Sequence, residues 1–285
     1  MSWLSRLMIA IALTAGIAHM PSYAQAQTLT VADRGSSRTY SVRELLANAA
    51  TRDIAVANDV AYRRPMNYRA VAVADLLKTL QVGADDYVQA RAIDGFSVSI
   101  PAALLTASGP PASGPTAAAE AFVAIDDPAA PWPTMPGKDE SAGPLYIVWR
   151  LAGGATVSSE YWAYQLAALT VGDSPFKRWP ELGVASDVAT GDPVRRGLDR
   201  FAALCMACHR FNGAGEGTQG PDLGRPMNPV DYFQPAALKK YIRDPASVRA
   251  WPSQKMPGLD AAVLPDSDID AIVAWLAYKS AQKSR

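Results

Sequence analysis

The most constraining feature of this chain is the pentapeptide Cys205-Met206-Ala207-Cys208-His209. The chain has only 2 cysteines and 2 histidines, and this run takes both thiols and one imidazole. Two thiols three positions apart near a helix end can both reach the vinyl groups of one haem and form thioethers, and the adjacent histidine then lies under the iron. Rival chemistries of the same spacing need partners that are missing. A zinc site needs four N or S ligands. A redox dithiol needs no histidine and sits after a strand. An ordinary disulfide in an oxidising compartment is the remaining alternative. The expectation is one covalent haem c, attached at Cys205 and Cys208, with His209 as an axial ligand of the iron.

The start of the chain fits that chemistry. Residues 1–26 read as a secretory signal peptide: Arg6 supplies the positive charge, Leu7 to Met20 is a short apolar run, and Ala24-Gln25-Ala26 matches a small-x-small cleavage site. Such a run is short for a membrane span, and no other apolar stretch approaches that length. The mature chain is expected to be exported, in a bacterium to the periplasm, without a membrane span. Cleavage would also remove His19 and leave His209 as the mature histidine. Lys+Arg 27 balances Asp+Glu 27, which argues against nucleic acid as a partner, because phosphate binding needs a basic surplus.

With no second histidine, the sixth iron ligand falls to methionine. Met206 lies inside the attachment motif and cannot reach the opposite haem face. Met227 follows His209 by 18 residues and Met256 by 47. Met256 sits in Lys255-Met256-Pro257-Gly258, an irregular loop before the last helical segment, and is the expected ligand. Ligation by a thioether fills the iron's coordination shell and favours electron transfer over oxygen chemistry.

The texture of the chain divides it. Residues 27–175 carry short β-like runs (29–31, 53–56, 70–73, 96–100 and 146–149) with short helices expected at Val42–Ala49, opened by Ser41, and at Ala74–Leu80. This predicts an α+β domain with long loops at Ala107–Ala119 and Asp127–Pro144. Residues 176–190 are expected as a linker. Residues 191–285 are expected to be an all-α domain, with helices from Pro193 to Leu204, from Pro235 to Arg243 and from near Ser267 onward. Lys239, Lys240, Arg249 and Lys255 can ring a haem edge or be a solvated face.

Three segments of the C-terminal part resemble the class I monohaem cytochrome c family. Gly197-Leu-Asp-Arg-Phe201-Ala-Ala-Leu-Cys205 is similar to its first helix and Ile272-Val-Ala-Trp275-Leu-Ala-Tyr278 to its last. Gly220-Pro221-Asp222-Leu223 is similar to its Gly-Pro-x-Leu turn. The resemblance implies packing of the two helices at the glycine and the aromatics. It also implies a hydrogen bond from the proximal histidine to the carbonyl of Pro221.

The N-terminal part resembles the molybdopterin-binding domain of the sulfite oxidase type. The resemblance rests on Tyr40–Leu46, Met66–Lys78, Asp94–Pro101 and Glu160–Gln165. That family ligates molybdenum through a cysteine thiolate, and both cysteines here belong to the haem motif. A molybdenum cofactor is therefore not expected, and the domain is read as a docking or small-ligand module. Tyr62, Tyr68, Trp132, Trp149, Tyr161 and Trp162 are either a recognition surface or core. Asp85-Asp86 and Asp126-Asp127 are read as turn residues. The leading function is single-electron transfer between a periplasmic dehydrogenase and a downstream acceptor. The alternative is an oxidoreductase whose N-terminal domain binds a molybdenum cofactor or a small substrate and drains electrons into the haem.

Overall fold

A computed structural model describes residues 28–107, 119–254 and 256–283. The expected signal peptide and most of the Ala107–Ala119 loop lie outside these residues.

The N-terminal part is α+β. Its elements are β1 (Thr28–Ala32), β2 (Ser37–Ser41), α1 (Val42–Leu46), β3 (Arg52–Val56), β4 (Met66–Ala72), α2 (Val73–Leu77), β5 (Tyr87–Ala92), β6 (Ser97–Pro101), α3 (Ala102–Thr106), β7 (Ala119–Ile125), β8 (Leu145–Leu151) and β9 (Leu166–Gly172). They form a five-stranded sheet of order β2-β1-β9-β5-β6 and a four-stranded sheet of order β3-β4-β7-β8. All pairings are antiparallel except β1 with β9, where Val31 aligns with Leu169. Leu29 and Val31, Val88 and Ala90, and Val98 and Ile100 alternate into the core, as period-2 patterning requires. Strands β7 and β8 are buried almost continuously, from Ala121 to Ile125 and from Leu145 to Trp149, and both sheets share one core.

Local chemistry sets the ends of the short helices. Ser41 accepts from Glu44 N while the Glu44 carboxylate accepts from Ser41 N at 2.7 Å, a reciprocal cap at the start of α1. The helix stops at Leu46, short of the expected Ala49, because Asn48 Oδ1 turns the chain by accepting from Ala50 N at 2.9 Å.

The aromatic residues resolve as core and not as a recognition surface. Tyr62, Tyr68, Trp149, Tyr161 and Trp162 are all buried, and Trp132 packs edge-on against Tyr68 at 4.9 Å. Among the tyrosines lies buried Asp59, which accepts from Tyr62 N (2.8 Å), Tyr68 Oη (2.8 Å) and Tyr146 Oη (3.4 Å). Burying a carboxyl is tolerable only with such partners. The aspartate pairs serve turns: Asp86 accepts from Gly83 N and pairs with Arg34, and Asp126 accepts from Trp132 N.

The C-terminal part is helical: α4 (Pro175–Arg178), α5 (Pro193–Arg200), a wide π turn (Phe201–Cys205), α6 (Pro229–Tyr232), α7 (Pro235–Arg243), α8 (Pro245–Val248) and α9 (Asp266–Lys283). Helix α5 does not run on to Leu204 as expected, since the chain widens into the π turn from Phe201. Helix α9 begins one residue before Ser267, because Pro265 O already accepts from Asp268 N and Ile269 N. The segment 176–190, expected as a linker, lies against α9. Leu182 is fully buried and its carbonyl accepts from Trp275 Nε1 at 3.3 Å. Gly183 O accepts from Lys279 Nζ at 2.7 Å, and Ala185 N donates to Tyr278 Oη at 2.9 Å. Among the described residues no helix is long and apolar enough to cross a membrane.

Candidate functional site

The first helix that frames the pentapeptide starts cleanly. Asp192 caps α5 by accepting from Val194 N at 2.8 Å, with Pro193 in the first position. Helices α5 and α9 then cross at Gly197. A Cβ there would overlap Ala271 O and come within 2.8 Å of Trp275 Cβ, so only glycine lets the backbones approach this closely. Trp275 is fully buried and stacks on Phe201 at 4.6 Å and packs on Phe211 at 4.9 Å. Buried Asp268, near the start of α9, pairs with Arg196 and with Arg200 at 2.8 Å.

The π turn delivers the thiols. Cys205 O accepts from Cys208 N (3.1 Å) and from His209 N (2.8 Å), so the five residues wind into one compact turn. The two cysteines are free thiols. Burial, with the negative charge of Glu160 adding to it, pushes their pKa values up to about 12 for Cys205 and about 11 for Cys208.

A loop returns under the histidine. Gly220 N donates to Cys208 O at 2.9 Å, and His209 Nδ1 lies 2.8 Å from Pro221 O. A proton on Nδ1 makes that bond and leaves Nε2 as the ring's lone-pair nitrogen, the tautomer a metal ligand needs. Burial holds the imidazole's pKa below its ordinary value. The loop is stapled by Asp222, which accepts from Asn212 N (2.8 Å), Gly213 N (2.6 Å) and Gly224 N (2.7 Å). Burial opposes the charge on Asp222, yet the amides of Gly224, Gly213 and Asn212 hold its carboxyl below the usual range. Sequence reasoning assigns Asp222 no role. The signal for one is an acidic residue between glycines, next to the turn proline.

The structure thus brings Cys205, Cys208, His209 and Pro221 together. Met256 comes from a separate segment between α8 and α9 and is partly buried. Arg243 anchors that segment by donating to Leu259 O, to Leu264 O at 2.6 Å and to Asp266. Met206 is packed in the helical core, and Met227 is 49% exposed. Of the basic residues, Lys239 pairs with Asp270 at 2.7 Å, Lys240 and Arg249 are exposed, and Lys255 lies outside the described residues.

Two thiols, an imidazole with Nδ1 committed, and a buried guanidinium Nε on Arg210 that has no hydrogen-bond partner among the described residues form a set that fits a covalently attached, carboxylate-bearing porphyrin. The fit depends on the space at Gly220, where a Cβ would overlap the His209 ring. Gly220→Ala should tilt that ring off Pro221 at a cost of about 1–3 kcal/mol. A fall in holoprotein yield and in thermal midpoint, measured against the parent, checks this.

The N-terminal part packs onto this turn. Ser158 Oγ donates to Ala203 O at 2.7 Å, and Ser97 Oγ donates to Glu216 Oε2 at 3.0 Å. Glu216 is also ion-paired with Arg178. Ala207, between the two cysteines, belongs to the N-terminal core.

Comparison with known proteins finds a match between residues 194–279 and the family described as Cytochrome c. No curated protein matches this chain. The matched span contains the crossing of α5 and α9, the thiol turn, His209 and the Pro221 loop, and it supports a C-terminal cytochrome c domain, which implies haem c binding.

Proposed function

We propose that this chain is a periplasmic c-type cytochrome that carries single electrons between a periplasmic dehydrogenase and a downstream acceptor, with the N-terminal part as its docking module. The observation that carries the reading is the 2.8 Å contact between His209 Nδ1 and Pro221 O beside the two free thiols, because it leaves Nε2 as the nitrogen able to ligate a metal. When bound, haem supplies the one-electron ferric/ferrous couple. Cys205 and Cys208 would hold it covalently, and His209 and Met256 would ligate the iron. The carbonyl of Pro221 orients the ring and raises its basicity as a ligand.

The residues of the N-terminal part do not fit a molybdenum cofactor of the sulfite oxidase type. Residues 27–175 contain no cysteine and no histidine, so neither a thiolate for the metal nor an imidazole for a pterin phosphate is available.

Metal analysis of the purified holoprotein tests the reading. One iron per chain without molybdenum, and reduction of the haem only when a dehydrogenase is added, is the expected result. Stoichiometric molybdenum with haem reduction driven directly by a small substrate would overturn it. The ligand assignment has its own test. Met256→Ala should abolish the weak thioether-to-iron absorption at the red end of the oxidised spectrum and lower the potential. A spectrum and potential identical to the parent's would show that Met256 is not the ligand.

A further inference from the structure

The N-terminal part brings the Glu160 carboxyl to the haem-attachment turn with no ion-pair partner among the described residues. The short turn 158–161 is held at both ends: Ser158 Oγ donates to Ala203 O at 2.7 Å, and Tyr161 O accepts from the buried Trp149 Nε1 at 2.9 Å. This turn packs against the Phe201–Cys205 segment, which puts Glu160 within electrostatic reach of Cys205 and Cys208. Its carboxylate receives one long hydrogen bond, 3.4 Å from Ser159 Oγ. No cation pairs with it among the described residues. Arg200, which faces the neighbouring Tyr161, is already paired with Asp268. A partly buried carboxyl with so little support costs folding energy.

We propose that Glu160 is a positioning residue of the haem environment, supplied across the domain boundary, whose carboxylate lowers the reduction potential of the haem held at Cys205 and Cys208. The inference rests on the haem reading above. Ferric haem carries one more positive charge than ferrous haem, so a nearby anion stabilises the oxidised state, and more strongly where water is excluded. The N-terminal part then sets the thermodynamics of electron transfer as well as the choice of partner. Burial raises the carboxyl's pKa, so the effect is largest at mildly alkaline pH, where Glu160 is ionised. The other titratable groups around it are Asp94, which faces Cys208, together with Tyr161, Tyr87 and Arg200, and a change at Glu160 leaves all of them in place.

The experiment is a potentiometric titration of full-length holoprotein, parent against Glu160→Gln, at neutral and at mildly alkaline pH. The variant should be reduced more easily, by about tenfold in the equilibrium constant at the higher pH, which is about 59 mV for a one-electron couple. Ser158→Ala, which frees the turn and admits water to the carboxyl, should shift the potential in the same direction by less. If Glu160→Gln yields no holoprotein, the Ser158→Ala result decides. Red protein whose potential matches the parent's at both pH values would overturn the proposal. A colourless parent chain would instead remove the haem reading itself.

Discussion

Replacing Cys205 and Cys208 together by alanine should leave a chain that carries no haem after denaturation. The physical reason is that the two thioethers are the only covalent links the sequence can offer, since the chain has no third cysteine. Haem staining on a denaturing gel, in cells competent for cytochrome maturation, should fall from full intensity in the parent to background. Each single change should give an intermediate, with unstable holoprotein held by one thioether and His209. Full covalent staining in the double variant would show that attachment uses other residues and would remove the basis of the functional reading.

The second large effect is expected at the crossing of α5 and α9. Trp275→Ala should cost about 3–5 kcal/mol, a large part of the roughly 5–15 kcal/mol that holds a typical domain together. Trp275 is fully buried and joins three parts of the structure. It stacks on Phe201 at the head of the thiol turn, packs on Phe211 in the loop after His209, and donates to Leu182 O in the segment that leads into the domain. Its removal leaves a cavity and an unpartnered buried carbonyl, and both add to the cost. Denaturant unfolding of the holoprotein, with unchanged slope and a lower midpoint, measures the loss. A midpoint within error of the parent's would mean that the crossing does not carry the domain's stability. Because the tryptophan braces the turn that bears Cys205, haem incorporation should fall with it.

Parts of this architecture are legible in the amino-acid sequence. Strand runs such as Val98 and Ile100, or Leu29 and Val31, alternate cleanly, and Ser41 with Glu44 announces the start of α1. Other parts carry no such mark. Alanine fills strands β7 and β9, as in Ala119-Glu120-Ala121 and Leu166-Ala167-Ala168, and alanine has little strand preference of its own. Their strand form comes from burial between neighbours. The polar strand β2 is equally silent, because four of its five residues are only partly buried or exposed, so no apolar period marks it. The segment 176–190 has the prolines and glycines of a linker, and the buried Leu182 shows that tertiary packing decided its place.

The candidate site divides along the same line. The pentapeptide determined the chemistry, because two thiols and an imidazole in five residues need no distant partner to define what they can bind. Geometry at longer range came from the fold. The backbone carbonyl of Pro221 meets His209 because Asp222 staples the returning loop, and Glu160 comes within electrostatic reach of the thiols because a turn 45 residues upstream of Cys205 is clamped to Ala203. Covalent spacing along a chain is encoded locally. The approach of a carboxyl from another layer depends on every packed element between, and that is why only the tertiary structure decided it.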